Sequence, residues 1–92
     1  MTVLHRLRRD GVVCSDLDGE IVILDLNTST YFSVRNSAAS LLSALTEGAS
    51  DVALVESLVA EYSVTPETAT VDVREFLDQL AERNLLETAP PV

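Results

Sequence analysis

The 92-residue chain contains one histidine, His5, and one cysteine, Cys14. A thiolate beside an imidazole would be a nucleophile with its base, the minimum for covalent catalysis. His5 falls in an N-terminal segment read as mobile and Cys14 in a strand, where the simpler reading is a small apolar side chain. One His and one Cys also supply too few soft ligands for a zinc centre. Asp16, Asp18 and Glu20 alternate around Gly19 and suggest calcium, yet the loop lacks the length and ligand pattern of an EF-hand and reads as a solvated turn. The three glycines stand apart at positions 11, 19 and 48, so there is no glycine-rich phosphate loop. No catalytic residue, metal ligand or cofactor follows from these residues. The chain reads as a recognition protein rather than an enzyme.

The elements that must position a recognition surface are legible from periodicity. "VVCSDL" and "EIVILDL" are strands joined by "DG", where Gly19 takes positive φ at no steric cost. "NTST" turns the chain into a third strand, "TYFSV". The middle strand carries apolar groups at Ile21, Val22, Ile23, Leu24 and Leu26, which predicts a central strand covered on at least most of both faces. A simple meander then leaves the third strand at an edge, a row of unpaired donors and acceptors with no proline or charge before Arg35 to blunt it.

Three helices account for most of the remaining chain. Asn36 or Ser37 caps a segment with Ala38, Leu41, Leu42 and Leu45 at helical spacing, stopped at Gly48. Ser50 caps a second, striped by Leu54, Val55, Leu58, Val59 and Tyr62. Thr65 and Pro66 open a third, whose core face is Val73, Phe76, Leu77 and Leu80, with Asn84 as its left-handed stop. Val71 lies across from that face and is either an inconsequential exposed valine or part of a groove. The fold class is α+β, winged-helix-like, with a three-stranded antiparallel sheet followed by three helices. Residues 1–10 are expected to be a flexible N-terminal segment, 11–87 the domain and 88–92 a disordered tail.

Six Arg and no Lys against fifteen carboxylates give a net charge of −9. Such a field repels nucleic acid and anionic lipid and favours neutral or basic partners. Arg6, Arg8 and Arg9 form the one basic cluster and read as a solvated terminus rather than a docking site. No apolar run reaches the length of a membrane span or of a signal peptide, and a lone cysteine agrees with a reducing compartment. A cytoplasmic location is the expectation.

The ordered set "GEIVILDLNTSTYFSVRNSAASLLSAL", "VESLVAEYSV" and "VREFLDQLAERNLLE" resembles the PqqD-like proteins, the recognition elements for precursors of ribosomally made, modified peptides. The likeness runs from about residue 11 to residue 87, and the chain's size resembles the stand-alone leader-binding proteins of lasso-peptide pathways. Asn84 stands where many relatives have Gly. The resemblance implies a non-catalytic adaptor that binds the precursor's leader segment and presents it to the modifying enzymes, a leader peptidase and a cyclase. It also implies that the leader adds as a strand to Thr30, Tyr31, Phe32, Ser33, Val34 and Arg35. The bound leader would lie against the third helix at Val71, Arg74, Leu77 and Asp78.

Two other classes compete. An acyl carrier protein is small and acidic but all helical, which the strand-rich first third opposes. A winged-helix regulator would place its last helix on DNA, yet here that helix bears Glu67, Asp72, Glu75, Asp78 and Glu82 against Arg74 and Arg83. An anisotropy titration with duplex DNA at physiological salt should show no binding tighter than about 1 μM, the strong end of non-specific affinities.

Overall fold

The computed structural model describes residues 3–89. Its element order is β1 (Leu4–Leu7), β2 (Val12–Leu17), β3 (Glu20–Asp25), β4 (Thr30–Arg35), α1 (Ser37–Glu47), α2 (Asp51–Tyr62), α3 (Pro66–Glu82) and β5 (Leu86–Ala89). β2, β3 and β4 form an antiparallel sheet in that order, so β4 is an edge as the meander requires.

The turn between β2 and β3 sets the sheet's geometry. Asp18 and Gly19 both take positive φ, 57° and 84°, the two-residue turn whose twist matches a hairpin. Such a turn is closed by a hydrogen-bonded pair, Leu17 with Glu20, and bonded pairs then recur at every second position. Glu20, Val22 and Leu24 spend their backbone groups on β2. The Leu26 N–H, next in that series, donates to the Gly11 carbonyl at 2.8 Å. Ile21, Ile23 and Asp25 consequently bond to Val34, Phe32 and Thr30 of β4.

One face of this sheet enters the core. Ile23 and Val34 are buried there with Leu41, Leu42 and Leu45 of α1, Leu54 and Leu58 of α2, and Ala69, Val73, Phe76, Leu77 and Leu80 of α3. The other face is open, which corrects the expectation that β3 is covered on both sides. Leu24 is exposed, and so is Leu26 just beyond the strand. The helices all pack on the Ile23 side, and no element among the described residues covers the reverse.

Helix ends follow the local chemistry. Ser50 accepts a hydrogen bond from the Ala53 N–H, Thr65 accepts one from the Thr68 N–H, and Pro66 occupies the first turn of α3. Asn84 takes the left-handed conformation at φ 58°. Asn36 makes no side-chain cap, and its positive φ of 55° is used instead to turn β4 directly into α1.

The termini depart from expectation. Leu4–Leu7 pairs antiparallel with Leu86–Ala89 in a second, two-stranded sheet, so the flexible segment expected over 1–10 is corrected for Leu4–Leu7. Of the expected tail, Thr88 and Ala89 belong to β5; residues 1–2 and 90–92 lie outside the described residues. His5 is held as well, its backbone exchanging two 2.9 Å bonds with Ala49. The cause is burial: Leu7 and Leu85 join the core on either side of the β1–β5 pairing.

Leu54 has no exposed surface and sits where α2 meets the core. Leu54→Ala should lower the stability measured by urea unfolding by about 3 kcal/mol, with an unchanged m-value.

Candidate peptide-binding site

β4 presents two distinct sets of groups. Thr30, Phe32 and Val34 turn their backbone toward β3, which leaves the N–H and C=O of Tyr31, Ser33 and Arg35 directed to the open edge. Side chains alternate in the same rhythm. Thr30, Phe32 and Val34 share the core face with Ile23, whereas Tyr31, Ser33 and Arg35 share the open face with Leu24, Val22 and Glu20. Arg35 grips Glu20 across the strands, with its Nη2 at 2.8 Å and its Nε at 3.2 Å from Oε2. Hydrogen bonding to Ser33, then the Arg35 guanidinium, hold the Glu20 carboxyl below its ordinary pKa.

The C-terminal end of α3 reaches the core face of this edge. The Arg83 guanidinium lies 4.6 Å from the centroid of the Phe32 ring, a cation–π contact. Together they close a crevice of only about 10 Å³ beside Ile23, Asp25, Thr30 and Tyr31. Counting back from Arg83 by helical turns, Gln79, Phe76 and Asp72 lie on the side of α3 turned toward β4.

Asp25 anchors the far end of the crevice. It is buried, accepts a 2.9 Å bond from Arg8 Nη2 and accepts the Asn27 N–H at 3.0 Å. Burial pushes the Asp25 carboxyl up, but the Asn27 N–H, the Arg8 charge and bonds from Thr28 outweigh it, and the net displacement is downward. Arg8 therefore belongs to the structure's interior, not to a solvated basic terminus. Its buried Nε has no hydrogen-bond acceptor among the described residues.

The predicted site residues divide between two places. Thr30, Tyr31 and Phe32 line the crevice under Arg83, and Ser33, Val34 and Arg35 continue the same edge. Arg74, Leu77 and Asp78 line a different concavity, a groove of about 250 Å³ on the side of α3 facing α2 and β1, with His5, Asp51 and Val55. Val71 is exposed and lines neither. Sequence reasoning missed Arg83, because nothing in "LAERNLL" signals that its arginine folds back onto an aromatic ring some fifty positions earlier.

The candidate chemistry is likewise dispersed. His5 pairs with Asp51 through Nε2 at the groove, whereas Cys14 lines a separate crevice with Leu7, Arg8 and Thr46. Partial burial pushes the Cys14 thiol above its ordinary pKa, away from thiolate reactivity. Among the described residues no group of three or more His, Cys, Asp or Glu is placed to hold a metal ion, and no helix is long and apolar enough to cross a membrane.

Comparison with known proteins bears on the family and the fold. The family model for coenzyme PQQ synthesis protein D (PqqD) matches residues 20–86. The solved structure of TbiB1 in complex with the TbiA(beta) leader peptide superposes with a TM-score of 0.83 and 39% identity, over 89% of this chain and 94% of that one. A lasso peptide synthetase B1 complexed with its leader peptide superposes with a TM-score of 0.80 and 25% identity, over 90% and 96%. No curated protein matches the sequence significantly.

Asp25 generates a prediction with a definite sign. Its folded pKa is below the ordinary 3.8, so its contribution is present above that value and lost as pH falls through the folded pKa. Thermal melts of the wild type should fall more steeply than those of Asp25→Asn below about pH 4. At pH 7 the variant, which leaves Arg8 uncompensated, should melt on the order of 10 °C lower.

Proposed function

The chain belongs to the PqqD family, and from that premise we propose that it is an adaptor that binds the leader segment of a ribosomally made precursor peptide by strand addition at β4. The observation that carries this is the open edge of Tyr31, Ser33 and Arg35, whose three N–H and three C=O groups point away from the sheet. A strand laid antiparallel to β4 gives those groups partners, each bond contributing about 1 kcal/mol net. The kinship with TbiB1 and lasso peptide synthetase B1, both solved with leader peptides, supports a leader as that strand and a lasso-peptide pathway as its setting.

Selectivity then comes from the leader side chains that point to the core face. They meet Phe32 and the Arg83 guanidinium, with Phe76 and Gln79 along the helix. The tight fit of Arg83 on Phe32 means that a leader side chain entering there must displace or share the guanidinium. Arg74, Leu77 and Asp78, on the other side of α3, are assigned a lesser part than the family resemblance implies. The adaptor performs no bond chemistry itself; it delivers the leader to a peptidase and to a cyclase.

Proline scanning of the edge tests the parity directly. Ser33→Pro removes an outward N–H and places a ring in the path of the leader. It should weaken binding of a synthetic leader at least about tenfold while leaving the melting temperature nearly unchanged. Val34→Pro removes an inward N–H and should destabilise the fold itself. Equal binding losses from the two with no difference in stability would contradict the assignment.

A further inference from the structure

Three arginines stand around β4, and two of them are paired. Arg8 Nη2 lies 2.9 Å from Asp25 Oδ1 and Arg35 Nη2 lies 2.8 Å from Glu20 Oε2. Arg83 instead rests its guanidinium over the Phe32 ring at 4.6 Å. Among the described residues it forms no ion pair and no side-chain hydrogen bond. A cation–π contact uses the flat face of a guanidinium and leaves its N–H donors, which lie in the plane, to other acceptors. Asp25 lines the same crevice but already accepts from Arg8 and from the Asn27 N–H. The backbone beneath Arg83 is fixed, since Asn84 turns left-handed at φ 58° and the Leu85 N–H returns to the Leu80 carbonyl at 2.9 Å. Arg83 is thus a positioned cation, exposed in the free chain, with its donors unused by described residues.

Strand addition brings one leader side chain to this cation. Because Phe32 spends its backbone on Ile23, a strand added antiparallel at Tyr31, Ser33 and Arg35 faces Phe32 in a non-hydrogen-bonded pair. Directly opposed residues share a face, so that leader side chain projects onto the core face with its Cβ about 5 Å from that of Phe32. It arrives beside Arg83. The crevice there holds only about 10 Å³, too little for an apolar side chain unless the guanidinium leaves the ring. The arriving strand also takes Arg83 out of water, and a covered cation without an acceptor is costly. A carboxylate resolves both difficulties, because it meets the in-plane donors while Phe32 keeps the face, a charge-assisted contact suited to the guanidinium fork. Elsewhere along the leader a carboxylate meets a chain of net charge −9 and is disfavoured.

We propose that Arg83 determines leader specificity by pairing with an Asp or Glu in register with Phe32, so that the adaptor selects leaders carrying a carboxylate at that one position. The inference rests on the leader-binding reading above and gives a chemical class to the strand that the edge accepts. The pair also fixes the register of the bound strand. A slip of one residue turns the carboxylate to the outer face, and a slip of two carries it away from the guanidinium.

A double-mutant cycle tests it. The probes are the labelled synthetic leader of the precursor encoded beside this chain's gene and a set of the same leader with each Asp or Glu changed singly to Asn or Gln. Against the wild-type chain one such change should weaken binding at least about tenfold, and against Arg83→Gln the same change should cost less than about twofold. A leader with Lys at that position should bind Arg83→Glu at least about tenfold more tightly than it binds wild type, a reversal that a merely structural role for the arginine does not produce. Arg83 is exposed at a helix end, so both variants should melt near wild type; if Arg83→Glu melts early, Arg83→Gln alone carries the cycle. Native leader bound by folded Arg83→Gln within about twofold of wild type would overturn the inference. Tighter binding by that variant would make the arginine an obstruction and overturn it too, as would a leader with no acidic position that couples to Arg83. Failure of the wild-type chain to bind leader at all would defeat the adaptor reading itself, a result distinguishable from the others.

Discussion

The register of a hairpin closed by a two-residue turn leaves no freedom in which backbone groups point where. With Asp18 and Gly19 both at positive φ, Leu17 and Glu20 form a bonded pair, and every later position in β3 and β4 inherits its direction from that pair. One residue more or less in the turn would reverse the pattern. Ile23 would then turn toward solvent, Phe32 would lose Arg83, and the outward donors would move from Tyr31, Ser33 and Arg35 to their neighbours. Core, edge and outer face thus depend on a single local geometry.

The same parity separates β4 into independent surfaces. Its inward backbone holds the sheet, its outward backbone is unpaired among the described residues, Phe32 and Val34 face the core side, and Tyr31 faces solvent. The elements around it keep that edge open while fixing its ends. Arg8 and Asp25 tie the segment after β1 to the end of β3, and β1 pairs with β5. α3 contributes Arg83 to Phe32 and otherwise presents mostly carboxylates, so a winged-helix framework is present without the basic face that phosphates need.

Most of the fold is readable from local signals. The "DG" turn, the Ser50 cap, the Thr65-Pro66 start of α3 and the left-handed Asn84 each depend on residues adjacent in sequence, and each appears as expected. What escaped reading is non-local. β1 is four residues with no clear alternation, and its partner lies some eighty positions away, so no window along the chain contains both. The face of α3 that meets β4 was hidden for the same reason: periodicity identifies Val73, Phe76 and Leu77 as core, but it does not say which flank turns to the sheet. The apolar groups on both sides of β3 suggest burial on both sides, yet among the described residues only one side is buried.

Amide hydrogen exchange, followed residue by residue with and without a synthetic leader, tests the central claim most directly. In the free protein Thr30, Phe32 and Val34 should exchange slowly and Tyr31, Ser33 and Arg35 fast, and leader should slow the second set while leaving the first nearly unchanged. Protection confined to the groove of Arg74, Leu77 and Asp78, with the odd-numbered amides of β4 still exchanging fast, would contradict strand addition at this edge.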